Sequence, residues 1–363
     1  MALNALRQTR EAFVTLDRVI RLHFVFFTAV WPLMGAASAR RDASAYQLAA
    51  LVAVAICFHS FTYLVNDVID LPIDRGDPRR QQDPIARGTL RPSVALLIAA
   101  VLPLVAAGIT FSLGGGWQPQ LTLAIGFASI TAYNLWGKHC VFPPLTDVIQ
   151  GVAWGSLAIY AAQALGAEPN VLTWLVAAYV GMFTLLFNGI HGPLRDLAAD
   201  FNGGGRTTAI LLGARPATPF GPAVVPLPVT VYAWLTLVGT IAISVAIMLR
   251  NDFNYAPESW TGVTIAVTLI NVCIIRLQPK VARPYGAGWD VAYRLQLFLL
   301  MMALPLTFAA YASRQTWITF AALTALSLPF FGWTAAIVRW SLAVIRTPIA
   351  PLFRPKRAAG RIT

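Results

Sequence analysis

Residues 48–74 read LAALVAVAICFHSFTYLVNDVIDLPID. The segment 48–65 contains no Asp, Glu, Lys or Arg, and Asn66, Asp67, Asp70 and Asp74 follow directly. A run this apolar reads as a membrane-crossing helix, since about 20 such residues cover ~30 Å of hydrocarbon. Spacings of three and four put the four polar side chains on one face if the helix continues. Pro72 removes a backbone donor and favours an extended Leu71, so the cluster reads as a helix end entering a loop. Three carboxylates this close repel one another unless something cationic lies between them. Hard oxygen donors suit Mg²⁺ shared with a phosphorylated substrate. The plainer alternative is a solvated acidic loop at a membrane edge.

The rest of the chain supports a membrane reading. Of 363 residues, 57% are hydrophobic and 12% charged, and the mean hydropathy is +0.65, too apolar for a soluble chain of this length. Ten runs are candidates to span: 19–37, 46–65, 93–113, 121–136, 145–165, 171–190, 224–249, 260–275, 295–312 and 317–338. The expected fold is therefore an all-α polytopic bundle of about nine or ten transmembrane helices. It divides into a cytoplasmic segment 1–18, a transmembrane domain 19–338 and a basic cytoplasmic tail 339–363. The polar start, 1–22, gives no sign of a cleavable signal peptide. Cys57, Cys140 and Cys273 lack metal-ligand spacing and read as free thiols. The net charge of +12 comes without a nucleic-acid motif, so it is assigned to membrane topology, not to nucleic acid.

Threading ten spans with the N-terminus inside leaves only Arg40, Arg41, Arg250 and Arg314 of the 27 basic residues outside. That asymmetry predicts an integral protein of the cytoplasmic membrane with both long loops, 66–92 and 191–223, on the cytoplasmic side. The first loop follows its acidic cluster with Arg79 and Arg80. The second carries Arg195, Asp196, Asp200, the glycines Gly203, Gly204 and Gly205, and Arg206. Asp196 and Asp200 alone are weak evidence, but with the first cluster they make a two-sided acidic site. A diphosphate with its Mg²⁺ ions needs carboxylates on opposing walls, and the arginines suit phosphate oxygens. The glycine amides reach phosphate or, as the commoner use, serve as a connector. The fourth span ends in YNLWGK, residues 133–138, and the fifth opens near Asp147. Lys138 either snorkels to headgroups or reaches into the site, and Asp147 is either a helix-dipole partner or a functional group. His191 is a minor candidate for phosphate hydrogen bonding or proton acceptance.

These motifs resemble the UbiA-type intramembrane prenyltransferase superfamily. Its first signature, N-D-x-x-D-x-x-x-D, is complete as Asn66, Asp67, Asp70 and Asp74. A following R-P-(I/L)-x-x-G element is matched by DPIARG at 83–88, with Asp83 in place of arginine. The second signature, D-x-x-D-x-x-x-D before G-x-R-T, keeps Asp196 and Asp200 but has Pro193 at its first position, and GGRTTAILLG runs from 204 to 213. The family's Y-x-x-x-x-K is Tyr133 and Lys138. The resemblance extends roughly from residue 19 through the eighth span.

What it implies is a helical bundle around a central cavity in which Mg²⁺ and a polyprenyl diphosphate meet. Catalytic roles fall to Asp67, Asp70, Asp196 and Asp200, and metal binding to these with Asn66 and Asp74. Substrate binding falls to Asn66, Asp74, Arg79, Arg80, Tyr133, Lys138, Asp147, Arg195 and Arg206. The expected partners are an isoprenyl diphosphate donor, an aromatic or lipophilic acceptor and membrane lipid. Pro193 leaves open a terpene cyclase, in which the donor's own double bond captures the cation. A cation-coupled transporter is a remote alternative, because transporter sites lie near the midplane and these clusters lie at helix ends.

Overall fold

The structure, a computed structural model, describes residues 15–39, 42–77, 80–219, 223–250, 254–281, 289–309 and 311–327. Arg40, Arg41, Arg79, most of segment 1–18 and everything from 328 onward, including the basic tail, lie outside the described residues.

Among the described residues, ten helices overlap the ten apolar runs, the last of them over 317–327 only, since 328–338 lie outside the described residues. They are α1 (Leu22–Ala39), α2 (Ala45–Ile69), α3 (Pro92–Leu113), α4 (Gln118–Trp136), α5 (Pro143–Ala164), α6 (Val171–Leu186), α8 (Leu227–Leu249), α9 (Pro257–Val281), α10 (Trp289–Thr307) and α11 (Arg314–Ser327). An eleventh, α7 (Gly192–Asn202), follows α6 through a π-helical turn, Phe187–His191. Local chemistry sets the starts. The Ser44 hydroxyl accepts from the Gln47 amide at 3.2 Å while Gln47 accepts from the Ser44 amide at 2.9 Å, a reciprocal cap of α2. Asn170 and Thr173 cap α6 in the same way. Prolines open α3, α4, α5 and α7, where the missing N–H costs nothing.

Among the described residues, five helical stretches are long and apolar enough to cross a membrane unaided: Ala45–Ile69, Pro92–Leu113, Val171–Asn202, Leu227–Leu249 and Pro257–Val281. Phe24–Ala39 and Val291–Thr307 are shorter apolar helices. The chain is an integral, multi-pass membrane protein. Helices α4 and α5 are more polar, and part of that polarity is satisfied inside the bundle: Thr122 donates to Gln163 at 2.6 Å and Gln120 to the Ala107 carbonyl at 3.1 Å. By contrast α3 is peripheral, with Leu97, Leu104 and Phe111 each about two-thirds or more exposed, as a lipid-facing helix should be.

Helix α5 is the centre of the bundle, packed by α1, α4 and α6. Its Ala153, Gly155, Ala158, Ala161 and Ala162 allow backbones to approach closely, the usual means of helix association in lipid. A Cβ on Gly155 would lie 2.9 Å from the Ala177 carbonyl of α6, and one on Gly35 of α1 would overlap the Ala158 backbone.

The loop expected at 191–223 is largely ordered helix instead. Pro193 starts α7, Leu194 and Leu197 bury one face of it, and a further turn, Thr208–Leu211, is capped by the Thr207 hydroxyl. A two-residue antiparallel pairing, Arg215–Pro216 with Ala223–Val224, closes the segment. At the end of α2, Asp70 caps the helix and Leu71–Asp74 forms a single separate turn, the break expected at Pro72.

Candidate active site

A cavity of about 580 Å³ opens between the ends of α2, α4 and α7 and runs in beside α1, α5 and α6. Lys138, just past α4, joins its two acidic walls: Nζ lies 2.8 Å from Asp70 Oδ2 and 3.0 Å from Asp200 Oδ1. The two signatures, 130 residues apart in sequence, thus converge on one ammonium group. Asn66 donates to Asp70 Oδ2 at 3.1 Å. Both carboxylates are buried, and together they hold Lys138 above the ordinary lysine range although burial opposes its charge.

Arg195, Arg80 and Arg21 are also paired with carboxylates. Arg195 donates to Asp196 from Nε at 3.1 Å and from Nη2 at 2.7 Å, and both residues line the cavity. Arg80 reaches Asp83 at 3.2 Å, so the aspartate that replaces the usual arginine of that motif forms an internal pair. Burial works against the Arg80 charge, and Asp196 and Asp74 outweigh it. Asp74 lies off the cavity wall in the single turn after α2. Burial pushes its carboxyl up to about 6, with Arg80 and Lys138 pulling the other way.

Asp67 is turned away from the cavity onto Arg21, at 2.5 Å. Arg21 precedes α1 with φ 48°, and its guanidinium lies 4.4 Å from the centroid of the Tyr63 ring. The Arg21 carbonyl accepts from His59 Nε2 at 3.1 Å, and in that tautomer His59 Nδ1 accepts from the Thr28 hydroxyl at 2.7 Å. Sequence reading missed Arg21; its only signal was a basic residue at the mouth of an apolar run. Arg294 on α10 lines the cavity as well and was equally unmarked.

The other candidates divide. Tyr133, Asp147 and Arg206 line the cavity. Asp147 accepts from the Thr208 hydroxyl at 2.5 Å. His191 does not reach the site: it is fully buried, edge-on to Phe187 at 4.9 Å and to Tyr293 at 6.2 Å. The glycine amides do not face phosphate either, because Gly203, Gly204 and Gly205 donate to the Ala199, Phe201 and Asp200 carbonyls and close α7. The Arg206 amide donates to the Lys138 carbonyl at 2.8 Å, tying that connector to the lysine. Pro193, in the position of the missing aspartate, lines the wall as an apolar group.

Among the described residues, no three His, Cys, Asp or Glu side chains converge on one point as a metal cage. The available donors are hard oxygens of Asp70, Asp196, Asp200 and Asn66 on facing walls, each wall held by a cation. That set fits Mg²⁺ shared with a phosphate, which brings oxygens of its own. The lining also includes aromatic groups, with Trp31 edge-on to Phe183 at 5.2 Å and Phe183 stacked on Phe187 at 4.7 Å.

The cavity of this membrane-embedded helical bundle is thus lined by acidic and basic side chains and by aromatic ones. The family model of the UbiA prenyltransferase family matches residues 25–255, and the chain belongs to that family. The mitochondrial 4-hydroxybenzoate polyprenyltransferase of Caenorhabditis elegans is 25% identical over 200 residues, 54% of each chain. A 4-hydroxybenzoate octaprenyltransferase of Coxiella burnetii is 26% identical over 190 residues, 52% of this chain and 64% of that one. The chain thus spans between about half and two-thirds of the length of these curated relatives. A solved UbiA homolog from Aeropyrum pernix K1 superposes with TM-score 0.62 at 17% identity, over 80% of this chain and 98% of the other. One from Archaeoglobus fulgidus bound to GPP and Mg²⁺ gives 0.57 at 13% identity, over 81% and 98%. These likenesses establish the fold.

Proposed function

We propose that the protein transfers an isoprenyl group, in a Mg²⁺-dependent reaction, from an isoprenyl diphosphate to an aromatic or lipophilic acceptor within the membrane. The observation that carries this reading is Lys138 between Asp70 and Asp200 in a cavity that Trp31, Trp154, Phe183 and Phe187 also line. Asp70, Asp196, Asp200 and Asn66 would hold Mg²⁺, which when bound neutralises charge building on the leaving diphosphate. Lys138, Arg80, Arg195 and Arg206 bind phosphate oxygens, and their charges favour departure of the leaving group. Arg21 positions Asp67 and, through the end of α2, Asp70. The faces of Trp31, Trp154, Phe183 and Phe187 line the path of the chain and favour a cationic carbon near them. The Mg²⁺- and GPP-bound fold relative and the hydroxybenzoate prenyltransferases lend support at the level of the family. The basic asymmetry of the sequence supports a cytoplasmic opening.

Pro193 in the cavity wall favours a second reading, cyclisation of the donor. One experiment separates them: diphosphate release by purified protein in nanodiscs with Mg²⁺ and donors of increasing length, products identified by mass. Release only when an aromatic or lipid acceptor is added supports transfer. Release from donor alone with a cyclic product supports cyclisation. Absence of diphosphate release under every condition overturns both.

A further inference from the structure

Asp147 lines the cavity with a neutral partner: Thr208 donates to it at 2.5 Å, and no basic residue is paired with it among the described residues. It is buried at 4% exposure. Gly189, in the π-helical turn, makes room for it, since a Cβ there would lie 2.9 Å from Asp147 Oδ2. Two oxygens on other cavity-lining residues lack donors. Asn134 spends its amide nitrogen on the Thr62 carbonyl at 3.1 Å, which leaves Oδ1 unpaired, and Gln150 Oε1 has no partner. An unmatched buried acceptor costs about 1–3 kcal/mol, and one threonine does not offset the burial of a carboxylate. Two buried oxygens without donors, and a carboxylate with a single neutral donor, call for a ligand that supplies a further one. An anionic group placed there would meet Asp147 uncompensated.

We propose that Asp147, with Asn134 and Gln150, forms the acceptor-side wall of the cavity, taking a neutral hydroxyl group of the acceptor, and that Asp147 receives the proton the acceptor loses. This rests on the prenyl-transfer reading. The acceptor oxygen, or in a phenol the ring carbon it activates, forms a bond to C1 of the isoprenyl chain. The C1–O bond to diphosphate breaks and its electron pair leaves with the diphosphate. The hydroxyl proton passes to an Asp147 oxygen and from there to water. Where the ring carbon attacks, the ring hydrogen then moves to the oxygen and restores the phenol. Thr208 is a positioning residue that holds the carboxylate toward the cavity.

The test uses the full chain in nanodiscs. Mg²⁺-dependent binding of geranyl diphosphate is measured first, because its absence sinks the donor reading without touching the acceptor wall. Binding of methyl 4-hydroxybenzoate is then compared with that of methyl 4-methoxybenzoate by tryptophan quenching, and prenylated product is measured by mass. The hydroxyl probe should bind about 10-fold tighter, the value of one well-made hydrogen bond. Asp147→Asn, which keeps shape and the Thr208 bond, should lower transfer kcat by about 100-fold while the Kd for geranyl diphosphate stays within about twofold. Thr208→Val should lower kcat by about 10-fold, and Thr208→Ser should restore it. Equal binding of the two esters, or wild-type transfer by Asp147→Asn, overturns the proposal. If the wild type does not prenylate this probe, the ester contrast alone decides, read again in Asp147→Asn, where it should narrow; an unchanged contrast there overturns the role of Asp147.

Discussion

Lys138 holds the two halves of the site together. Its partners are 7% and 4% exposed at the side chain, and removing one member of such a buried set costs about 3–5 kcal/mol because the remaining charges are left facing each other. Lys138→Ala is therefore expected to lower the melting temperature in detergent. Mg²⁺ should raise that temperature more in the variant than in the wild type, because the cation takes over between Asp70 and Asp200. An equal response of both proteins would argue against a metal position between those walls. Arg21→Ala should release Asp67 and remove the guanidinium from Tyr63, with diphosphate release falling at least about 10-fold and Arg21→Lys recovering only part of it, since an ammonium lacks the planar face. Most of these residues were legible in the sequence, since carboxylates at spacings of three and four beside an apolar run are conspicuous. Arg21 was not, because nothing in a one-dimensional pattern says which arginine meets which aspartate.

At the scale of elements, two junctions set the geometry. The π-helical turn Phe187–His191 joins α6 to α7 and carries Gly189 against Asp147. Gly189→Ala is expected to displace the Asp147 carboxylate and reduce transfer by about 10-fold, with diphosphate binding retained; unchanged turnover would show that the close approach has no functional weight. The α5 and α6 crossing depends on Gly155, and Gly155→Val should cost about 1–3 kcal/mol through overpacking against the Ala177 carbonyl, read as a loss of thermal stability. Apolar runs and proline starts made the long helices readable. Helix α7 was missed as a helix because its residues are polar in local sequence, and its buried face became apparent only where Leu194 and Leu197 pack inward.

For the whole molecule, the first expectation is metal dependence: chelation should abolish diphosphate release and added Mg²⁺ should restore it, whereas full activity with excess chelator would exclude the proposed chemistry. A cysteine at Arg215 and one at Glu258 should be labelled from opposite sides of a sealed vesicle, with Arg215 on the side of the acidic motifs. Apolar length and charge density determined the membrane class from the sequence alone, since about 20 uncharged apolar residues have no stable alternative to a bilayer. The motif spacing likewise determined which carboxylates to watch. Only the tertiary structure decided that Asp70 and Asp200 share one lysine, that Asp67 turns onto Arg21 and His191 stays buried, and that Asp147 has Thr208 as its donor while Asn134 and Gln150 keep buried oxygens without one. These are relations between helices far apart in the chain, and helix rotation, set by small-residue packing, determines which side of each one looks inward.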